Sequence, residues 1–376
     1  MEHCFAPGPG RLPFSLGVEE ELMIVDAEHY DLVNAIEPLL DAVGDDTGKP
    51  RGEIKPELME SVLEVCTDPC ANAGQAAAEL AQLRAYASSL AGERGLRVGS
   101  AGTHPFAMWE DQRIVARPRY RDLISALRFV ARQELLFGLH VHVAVDDPEQ
   151  AIHVADGMRV HVPVLLALSA NSPFWRADRT GLMSTRTPIF RAFPRVGMPP
   201  AYGSWEHYVE EIDFMVRSGV MEDYTYLWYD IRPHPRFGTV EIRCCDAQTR
   251  VEHTIALAAL IQAMVKELCE HFSEGKQLGE YPWQMLDENK WLAARHGLDG
   301  DIVDLPSNER VATKTLARRL VDRLRHHAQD LGAEHELEGI VDLIERGNGA
   351  ARQVVVYEAN SDLREVMAEI VDATVA

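Results

Sequence analysis

The sequence predicts an α+β fold in which a mostly antiparallel sheet is backed by helices. Four segments alternate apolar and polar residues with a period of two, so each would present one wettable face. A strand in a doubly wound parallel sheet is usually apolar on both faces, and the alternation therefore favours antiparallel pairing. Apolar residues at helical spacing occupy much of the remaining chain.

The predicted strands cover residues 16–25, 60–67, 137–145 and 239–244. The third strand shows the alternation most clearly, because Val141 and Val143 alternate with His140 and His142. Both imidazoles therefore lie on the polar face of the predicted sheet.

Helices are predicted where apolar residues recur every three or four positions. Leu80, Leu83 and Ala87 share one face of a helix over residues 73–95. The other predicted helices cover residues 120–134, 153–168, 205–217, 252–272, 308–331 and 361–375. No repeat, low-complexity tract or long linker separates these elements, so we predict one catalytic domain over residues 1–376.

The charge composition excludes some classes of partner. The 376 residues include 37 Lys and Arg against 59 Asp and Glu, which gives a formal net charge of -22. Such a chain repels a phosphate backbone or an anionic membrane, so we expect neither nucleic acid nor membrane as a partner. Six cysteines in a chain of this length, and no signal-peptide pattern at the start, favour a reduced cytoplasmic protein.

The polar faces of the four strands carry almost only acidic residues and histidines. They are Glu19, Glu21, Glu60, Glu64, His140, His142, Glu241 and Arg243. Any one of these faces could simply be solvated, because antiparallel sheets often have one wet face. Taken together they are almost all metal-ligand types, and crowded carboxylates cost free energy unless cations neutralise them. A set dominated by carboxylates suits Mg²⁺ or Mn²⁺ better than Zn²⁺.

The sequence has no phosphate-binding glycine loop. Residues 44–50 read GDDTGKP, which lacks the spacing and the hydroxyl residue of a Walker A motif, and neither G-x-G-x-x-G nor H-E-x-x-H occurs. A nucleotide would therefore be held by metal-bridged phosphates and arginines. Arg243, two residues from Glu241 on the same strand face, is placed to bind a transferring phosphoryl group.

Eight segments along almost the whole chain carry a family pattern. They are GVEEELMIVD (17–26), PELMESVLEVCT (56–67), AGTHPFA (101–107), RY (119–120), LFGLHVHVAV (136–145), ANSPFWRADRTGLMSTRTPIFRAFPRVGMP (170–199), YDIRPHPRFGTVEIRCCDAQT (229–249) and NKWLAARHG (289–297). In this order and spacing the sequence resembles the type 2 glutamate–cysteine ligases, which are carboxylate–amine ligases of the glutamine-synthetase-like superfamily.

The resemblance implies an ATP-dependent ligase whose concave antiparallel sheet binds two or three Mg²⁺ ions, and it implies a homodimer. The implied metal ligands are Glu19, Glu21, Glu57, Glu64, His140 and Glu241. Arg243 would lie beside the transferred phosphate, so Glu241 and Arg243 are the expected catalytic residues. Glutamate and cysteine are the implied substrate pair, joined through the γ-carboxylate of glutamate.

Two features conflict with the family pattern. Strand alternation places Glu60 on the face of Glu64, whereas the family pattern favours an acid at Glu57, and a break after Pro56 could reconcile the two. The superfamily also has an arginine two residues before the last-strand glutamate, where this chain has Thr239. An arginine from elsewhere would have to replace it.

Further binding residues are expected outside the strands. Arg186 or Arg191, in a loop over residues 184–200, would bind a substrate carboxylate or the γ-phosphate, although a solvated surface loop would look the same. Arg295, on a predicted helix, is either a substrate contact or an exposed charge. His142 would be a metal ligand, an adenine contact or a support for a neighbouring ligand.

The expected reaction is amide formation through an acyl phosphate, with ATP as co-substrate. Two alternatives remain open on the residues alone. A metal-dependent hydrolase would use H-V-H on a strand and would need several histidine ligands. A non-catalytic binding module could keep the same fold, but it would gain nothing from so many mutually repelling acids.

Overall fold

A seven-stranded antiparallel sheet organises the computed structural model, which describes residue 5 and residues 12–376. The strands are β1 (Leu16–Asp26), β2 (Glu53–Pro56), β3 (Val62–Cys66), β4 (Leu96–Gly99), β5 (Gly138–Ala144), β6 (Phe174–Trp175), β7 (Asp178–Arg179), β8 (Val196–Gly197), β9 (Trp228–Tyr229), β10 (Ile231–His234), β11 (Thr239–Asp246), β12 (Asp301–Asp304) and β13 (Glu309–Ala312). The large sheet has the order β10-β11-β5-β1-β3-β2, and β4 pairs with the far end of β1. The other strands form three two-stranded pairs.

The helices surround this sheet and connect its strands. They are α1 (Ile36–Asp45), α2 (Ala73–Gly92), α3 (Pro118–Leu127), α4 (Phe129–Arg132), α5 (Pro148–Met158), α6 (Val162–Ser169), α7 (Arg186–Phe190), α8 (Trp205–Arg217), α9 (Val251–Ser273), α10 (Trp283–His296), α11 (Thr313–Asp330), α12 (Glu334–Leu337), α13 (Gly339–Arg346), α14 (Gly349–Asn360) and α15 (Leu363–Thr374). Helix α2 shows why such a segment is helical: Asn72 caps its start by accepting from the N–H of Gln75, and alanine and leucine fill its buried face.

One face of the sheet forms the main hydrophobic core with α2 and α9. Val18, Leu22 and Ile24 of β1 are fully buried there, together with Val141 and Val143 of β5. The period-two pattern therefore has its expected cause, because every second side chain of these strands enters the core. The fold is the α+β arrangement predicted from the sequence.

A second core covers the opposite face at one end of the sheet. Met23 and Val25 of β1 pack there against Met367 and Val371 of α15. This helix leaves only the other end of that face open, and the polar residues of β1 and β5 lie at the open end.

Glu20 and Arg84 form an ion pair inside the main core. Glu20 is fully buried, only 1% of Arg84 is exposed, and two nitrogens of the guanidinium donate to the two carboxylate oxygens at 2.7 and 2.8 Å. The remaining guanidinium donors reach the carbonyls of Gln248, Thr249 and Thr374. One side chain of α2 therefore ties β1 to the β11–α9 connection and to the end of α15.

Most predicted elements are present, with shifted boundaries that have local causes. The helix predicted over residues 120–134 is broken at Arg128, which has a positive φ of 54°. The helix predicted over residues 153–168 is interrupted by a 3₁₀ turn, Arg159–His161. The helix predicted from residue 308 begins only at Thr313, because β13 precedes it.

One stretch, Pro148–Ser169, is long and apolar enough to cross a membrane, with a mean hydropathy of 1.3 over its most apolar window. In the fold, 72% of that window is buried. The segment comprises α5 and α6, and most of its apolar side chains belong to the main core. Core helices commonly have this composition.

Replacing Arg84 by Met should lower the free energy of unfolding by about 3–5 kcal/mol, because Glu20 would be left as an uncompensated buried charge. Urea unfolding measures this change. The matched control is Arg179→Met, since Arg179 pairs with Glu358 on the surface and its side chain is 47% exposed. That variant should lose no more than about 1 kcal/mol. Similar losses in both variants would contradict the special role of the buried pair.

Candidate active site

A cavity of about 300 Å³ opens on the free face of the sheet. Its charged and imidazole lining consists of Glu19, Glu21, Glu57, Glu64 and Glu134, with His140, Lys55, Arg119, Arg186, Arg232 and Arg243. Tyr120, Phe190, Tyr226 and Trp228 add aromatic walls. Acids and cations of opposite sign thus share one concave site of the size that small molecules occupy.

The strand register brings the acids and histidines together. Glu19 lies opposite His140 on the neighbouring strand, and Glu241 lies opposite His142. On the other side of β1, Glu21 lies opposite Glu64. Directly opposed residues have neighbouring Cβ atoms, so three strand pairings build one continuous polar surface.

A β-bulge interrupts the pairing of β11 with β5 at Arg243. The pairing of β11 with β5 shifts register between Ile242 and Cys245. Bulges re-aim side chains and are frequent beside functional sites. Here the Arg243 guanidinium contacts Glu241 on its own strand and lies 3.5 Å from Nδ1 of His140.

Glu241 is held by two arginines. The Nε of Arg232 donates to it at 2.7 Å, and Arg243 donates to its other oxygen. Burial raises the pKa of Glu241, but the charges of Arg232 and Arg243 outweigh burial and hold it well below its usual range. Glu241 is therefore ionised. Arg232 therefore lies beside Glu241, whereas Thr239, at the position of the family's arginine, contacts His142 at 3.0 Å.

The other acids of the site are crowded and less completely neutralised. Burial, followed by the charge of Glu57, raises the pKa of Glu21 to about 7. Burial and the charge of Glu19 raise the pKa of Glu64 well above its usual range, although the Lys55 ammonium lies 3.5 Å away. Burial also raises the pKa of Glu57, whose carboxylate accepts from Tyr120 at 3.1 Å. A bound divalent cation would lower the free-energy cost of crowding these carboxylates.

The donor set fits a hard divalent cation. One atom each from Glu19, His140 and Glu241 lie within 4.8 Å of one another, and Glu19 forms a second such group with Glu64 and Cys66. Burial and the charge of Arg243 lower the pKa of His140 to about 4, so its imidazole is neutral and able to ligate. Burial and Glu64 raise the pKa of the Cys66 thiol well above its usual range. A protonated thiol is a poor ligand, which leaves oxygen and imidazole donors suited to Mg²⁺ or Mn²⁺.

Gly138 permits the close approach of Arg186 to this surface. A Cβ at residue 138 would lie 2.6 Å from a terminal guanidinium nitrogen of Arg186. The N–H of Gly138 also donates to Glu21. Arg186 itself is only 6% exposed and begins α7, so a helix outside the sheet delivers a buried cation to the cavity.

The structure corrects two of the predicted site residues. Glu60 precedes β3, lies outside the cavity and pairs with Arg113 at 2.8 Å, because the strand begins only at Val62 and the alternation cannot be extended backwards. Glu57, not Glu60, lines the cavity. Arg295 is exposed on α10 and does not line it.

Arg191 lies at the edge of the site. Its side chain is 54% exposed, pairs with Asp287 at 2.7 Å and lines a small side cavity. Lys290 of α10 lines the same side cavity, and its ammonium contacts both oxygens of Asp230 at 2.7 Å. The helix therefore turns Lys290, and not Arg295, towards the site.

Sequence reasoning missed several residues of the cavity. They are Lys55, Arg119, Tyr120, Glu134 and Arg232. Arg232 could have been found as the polar position of the short strand β10, which faces Glu241 in the register. Lys55 precedes the Pro56 break, and Arg119 with Tyr120 stood in a family-pattern segment. Glu134 stands in no pattern that the sequence alone reveals.

Two solved proteins share the fold of this chain. A solved glutamate–cysteine ligase from Francisella tularensis, in complex with AMP, superposes with a TM-score of 0.69 at 15% identity, covering 97% of this chain and 90% of that one. A bifunctional glutathione synthetase from Pasteurella multocida gives a TM-score of 0.65 at 15% identity, covering 96% of this chain and 51% of that one. The expected fold is confirmed.

The chain belongs to glutamate–cysteine ligase family 2, whose model matches residues 15–373. A protein named glutamate–cysteine ligase 2-1 from Rubrobacter xylanophilus is 43% identical over 365 residues, or 97% of this chain and 96% of that one. A relative from Sorangium cellulosum, named glutamate–cysteine ligase 2, is 40% identical over 359 residues, covering 96% of each. The protein is accordingly a ligase that forms C–N bonds. The family expected from the sequence is confirmed.

Divalent cations should stabilise the protein more as the pH rises. The pKa of Glu21 is about 7 in the folded chain against an ordinary 4.5, so this group's contribution to stability falls between about pH 4.5 and 7. A bound cation competes with the proton, so the increase in Tm caused by Mg²⁺ should grow over that interval.

Thermal melts with and without Mg²⁺ at about pH 5 and about pH 7.5 test this expectation. In Glu21→Gln, the increase in Tm caused by Mg²⁺ should depend less on pH than in wild type. Glu60→Gln should show the same pH dependence as wild type, because Glu60 lies outside the cavity. A Mg²⁺ effect independent of pH would contradict it.

Proposed function

We propose that the protein is an ATP-dependent carboxylate–amine ligase that forms an amide through an acyl phosphate. The observation that supports this most strongly is the shared cavity, in which metal-ligating acids lie beside the guanidinium groups of Arg186 and Arg243. The AMP bound to the Francisella tularensis ligase and the family membership support the choice of ATP. Glutamate, through its γ-carboxylate, and cysteine are the proposed substrate pair.

The metal ligands in this proposal come from the strands and from the end of β2. They are Glu19, Glu21, Glu57, Glu64, His140 and Glu241. When bound, Mg²⁺ or Mn²⁺ would neutralise charge on the β- and γ-phosphates. His142 lies between two of these acids, with its Nε2 3.6 Å from Glu19 and 3.7 Å from Glu241.

The first chemical step is attack of the substrate carboxylate oxygen on the γ-phosphorus, which breaks the bond to ADP and gives an acyl phosphate. Arg243 is assigned to the transferred phosphoryl group, because its guanidinium is fixed by Glu241 and is almost buried. Preorganised cations of this kind act on charge that develops in the transition state. Arg186 is assigned to a carboxylate or phosphate oxygen next to it.

The second step is attack of the amine nitrogen on the acyl carbon. The bond from carbon to the phosphate oxygen breaks, inorganic phosphate leaves, and the nitrogen loses a proton as the amide forms. No residue forms a covalent intermediate in this scheme. The cavity holds both reactants together, which supplies the positioning that such reactions need.

The hydrolase alternative has little support. It requires several histidine ligands, whereas the groups of the described residues able to hold a metal contain one histidine, His140. A binding module would not explain membership of a ligase family.

Arg243→Lys should lower turnover by on the order of a hundredfold, because lysine keeps the charge but loses the planar two-donor fork. Glu241→Gln should instead raise the Mg²⁺ concentration needed for half-maximal activity. Release of ADP and the mass of the product measure both effects, and EDTA should abolish activity until Mg²⁺ or Mn²⁺ is restored. Wild-type turnover by Arg243→Lys would show that this arginine does not act on the transferred phosphate.

Self-association into a dimer is also proposed, on the family resemblance. Light scattering at micromolar concentration should give about twice the monomer mass. A monomer mass across that range would contradict the proposal.

A further inference from the structure

Lys290 and Asp230 form a buried ion pair that the proposed reaction does not use. The Lys290 ammonium contacts both carboxylate oxygens of Asp230 at 2.7 Å, and the two side chains are only 10% and 8% exposed. Both residues line the small side cavity, whereas Arg186 and Arg243 line the side cavity and the main cavity. Replacing a buried ion pair by packed apolar side chains is often neutral for stability, so stability alone is a weak reason for this pair.

The backbone of Asp230 connects a short strand to the edge of the catalytic strand β11. Asp230 lies between β9 and β10, and its N–H donates to the carbonyl of Gly197 in β8 at 2.8 Å. Its carbonyl accepts from the N–H of Arg243 in β11, also at 2.8 Å. The residue that Lys290 holds is therefore bonded directly to the backbone of Arg243.

The β-bulge makes this hydrogen bond important for Arg243. The pairing of β11 with β5 stops at Ile242 and resumes at Cys245, so Arg243 has no register partner in β5. On the opposite edge, the bond from Arg243 to Asp230 continues the pairing of β11 with β10 by one residue. The carbonyl of Arg243 accepts from the side chain of Arg186 at a longer 3.4 Å. Asp230 therefore fixes the Arg243 backbone at the place where β5 does not.

Helix α10 presents Lys290 from a fixed position. The preceding residue, Asn289, exchanges two hydrogen bonds with the backbone of Val303 in β12, at 2.7 and 2.8 Å. Ala293 and Ala294 of the same helix are fully buried against α6. A rigid helix therefore delivers the ammonium to Asp230, and through Asp230 it restrains the bulged part of β11.

We propose that Lys290 and Asp230 are positioning residues that hold Arg243 where it meets the transferred phosphoryl group. This inference rests on the proposed ligase reaction and adds two residues to it. The ion pair fixes the Asp230 carbonyl, and that carbonyl fixes the backbone from which the Arg243 guanidinium extends. Loss of the pair should therefore slow phosphoryl transfer and leave substrate and metal binding largely unchanged.

The first test is Lys290→Met, with glutamate, cysteine, ATP and Mg²⁺ present. Turnover should fall about tenfold or more, because misplacing a catalytic group by about 1 Å can cost on the order of a hundredfold in rate. KM for each substrate and the Mg²⁺ requirement should change by less than about twofold, since the loss concerns the transition state. Lys290→Arg, which keeps a cation able to bind Asp230, should restore most of the lost turnover.

The matched control is Lys266→Met. Lys266 also has a mostly buried side chain, 14% exposed, and it pairs with Asp330 at 3.0 Å. Neither residue lines the main cavity or the side cavity. This variant should keep wild-type turnover. An equal fall of turnover in Lys266→Met and Lys290→Met would show general destabilisation and would contradict the positioning role.

A double variant separates positioning from a direct contact with substrate. If Lys290 acts through Arg243, adding Lys290→Met to Arg243→Lys should lower turnover by less than about a further twofold, because residues that act as a unit are not additive. Losses that multiply would mean that Lys290 acts independently of Arg243, and the proposal would be wrong. A raised KM for glutamate or cysteine in Lys290→Met would make Lys290 a substrate contact, which also contradicts it.

A measurement without substrates separates this inference from the proposed reaction. Amide hydrogen exchange at Arg243, whose N–H bonds to Asp230, should be about tenfold faster or more in Lys290→Met and unchanged in Lys266→Met. Asp230→Asn keeps the shape of the side chain and removes its charge, so it should show the same faster exchange and carries the comparison if Lys290→Met does not fold. Unchanged exchange would overturn the role of the pair. Faster exchange in a protein that releases no ADP with glutamate would uphold the link from Lys290 to Arg243 and count against the proposed reaction alone.

Discussion

The open face of the sheet depends on the ion pair buried beneath it. Glu20 stands between Glu19 and Glu21 in β1, and its side chain points into the core where Arg84 binds it. Neighbouring residues of a strand face opposite sides, so fixing Glu20 also fixes the direction of the two acids next to it. Thr254 of α9 donates a further hydrogen bond to Glu20. Two helices that are distant in sequence, α2 and α9, thereby hold one strand of the site in register.

The electrostatics of the cavity follow from two different ways of burying an acid. Glu241 is neutralised by arginines and stays ionised, whereas Glu21 and Glu64 lack sufficient neutralising charge and have raised pKa values. The first arrangement is stable by itself, but the second is stable only with protons or an added cation. The fold therefore tolerates the cluster partly at the expense of its own stability, which is typical of functional sites.

The sequence predicted what depends on local periodicity and missed what depends on tertiary contacts. Alternation along single strands identified Glu19, Glu21, Glu64, His140 and Glu241, because the period of two is a local property of the chain. The same rule failed at Glu60, where alternation was continued beyond the true start of β3. The helix break at Arg128 was also invisible, since arginine is not a usual residue for a positive φ. Arg84 and Arg232 reach their acids only through packing and strand pairing.

Some residues of the site lie on the strands of the large sheet and others lie on the segments that connect them. This difference explains why family membership indicates the type of reaction more closely than it indicates the substrates. In the proposed reaction the strand residues serve phosphate and metal, and the sheet holds them rigidly. Arg186, Phe190, Trp228 and Glu134 enter the cavity from outside the seven-stranded sheet, on α7, the short strand β9 and the segment before β5. Such segments vary on a constant scaffold without disturbing its core. Differences in substrate among relatives that share this sheet should therefore arise at these four positions before they arise at the strand acids.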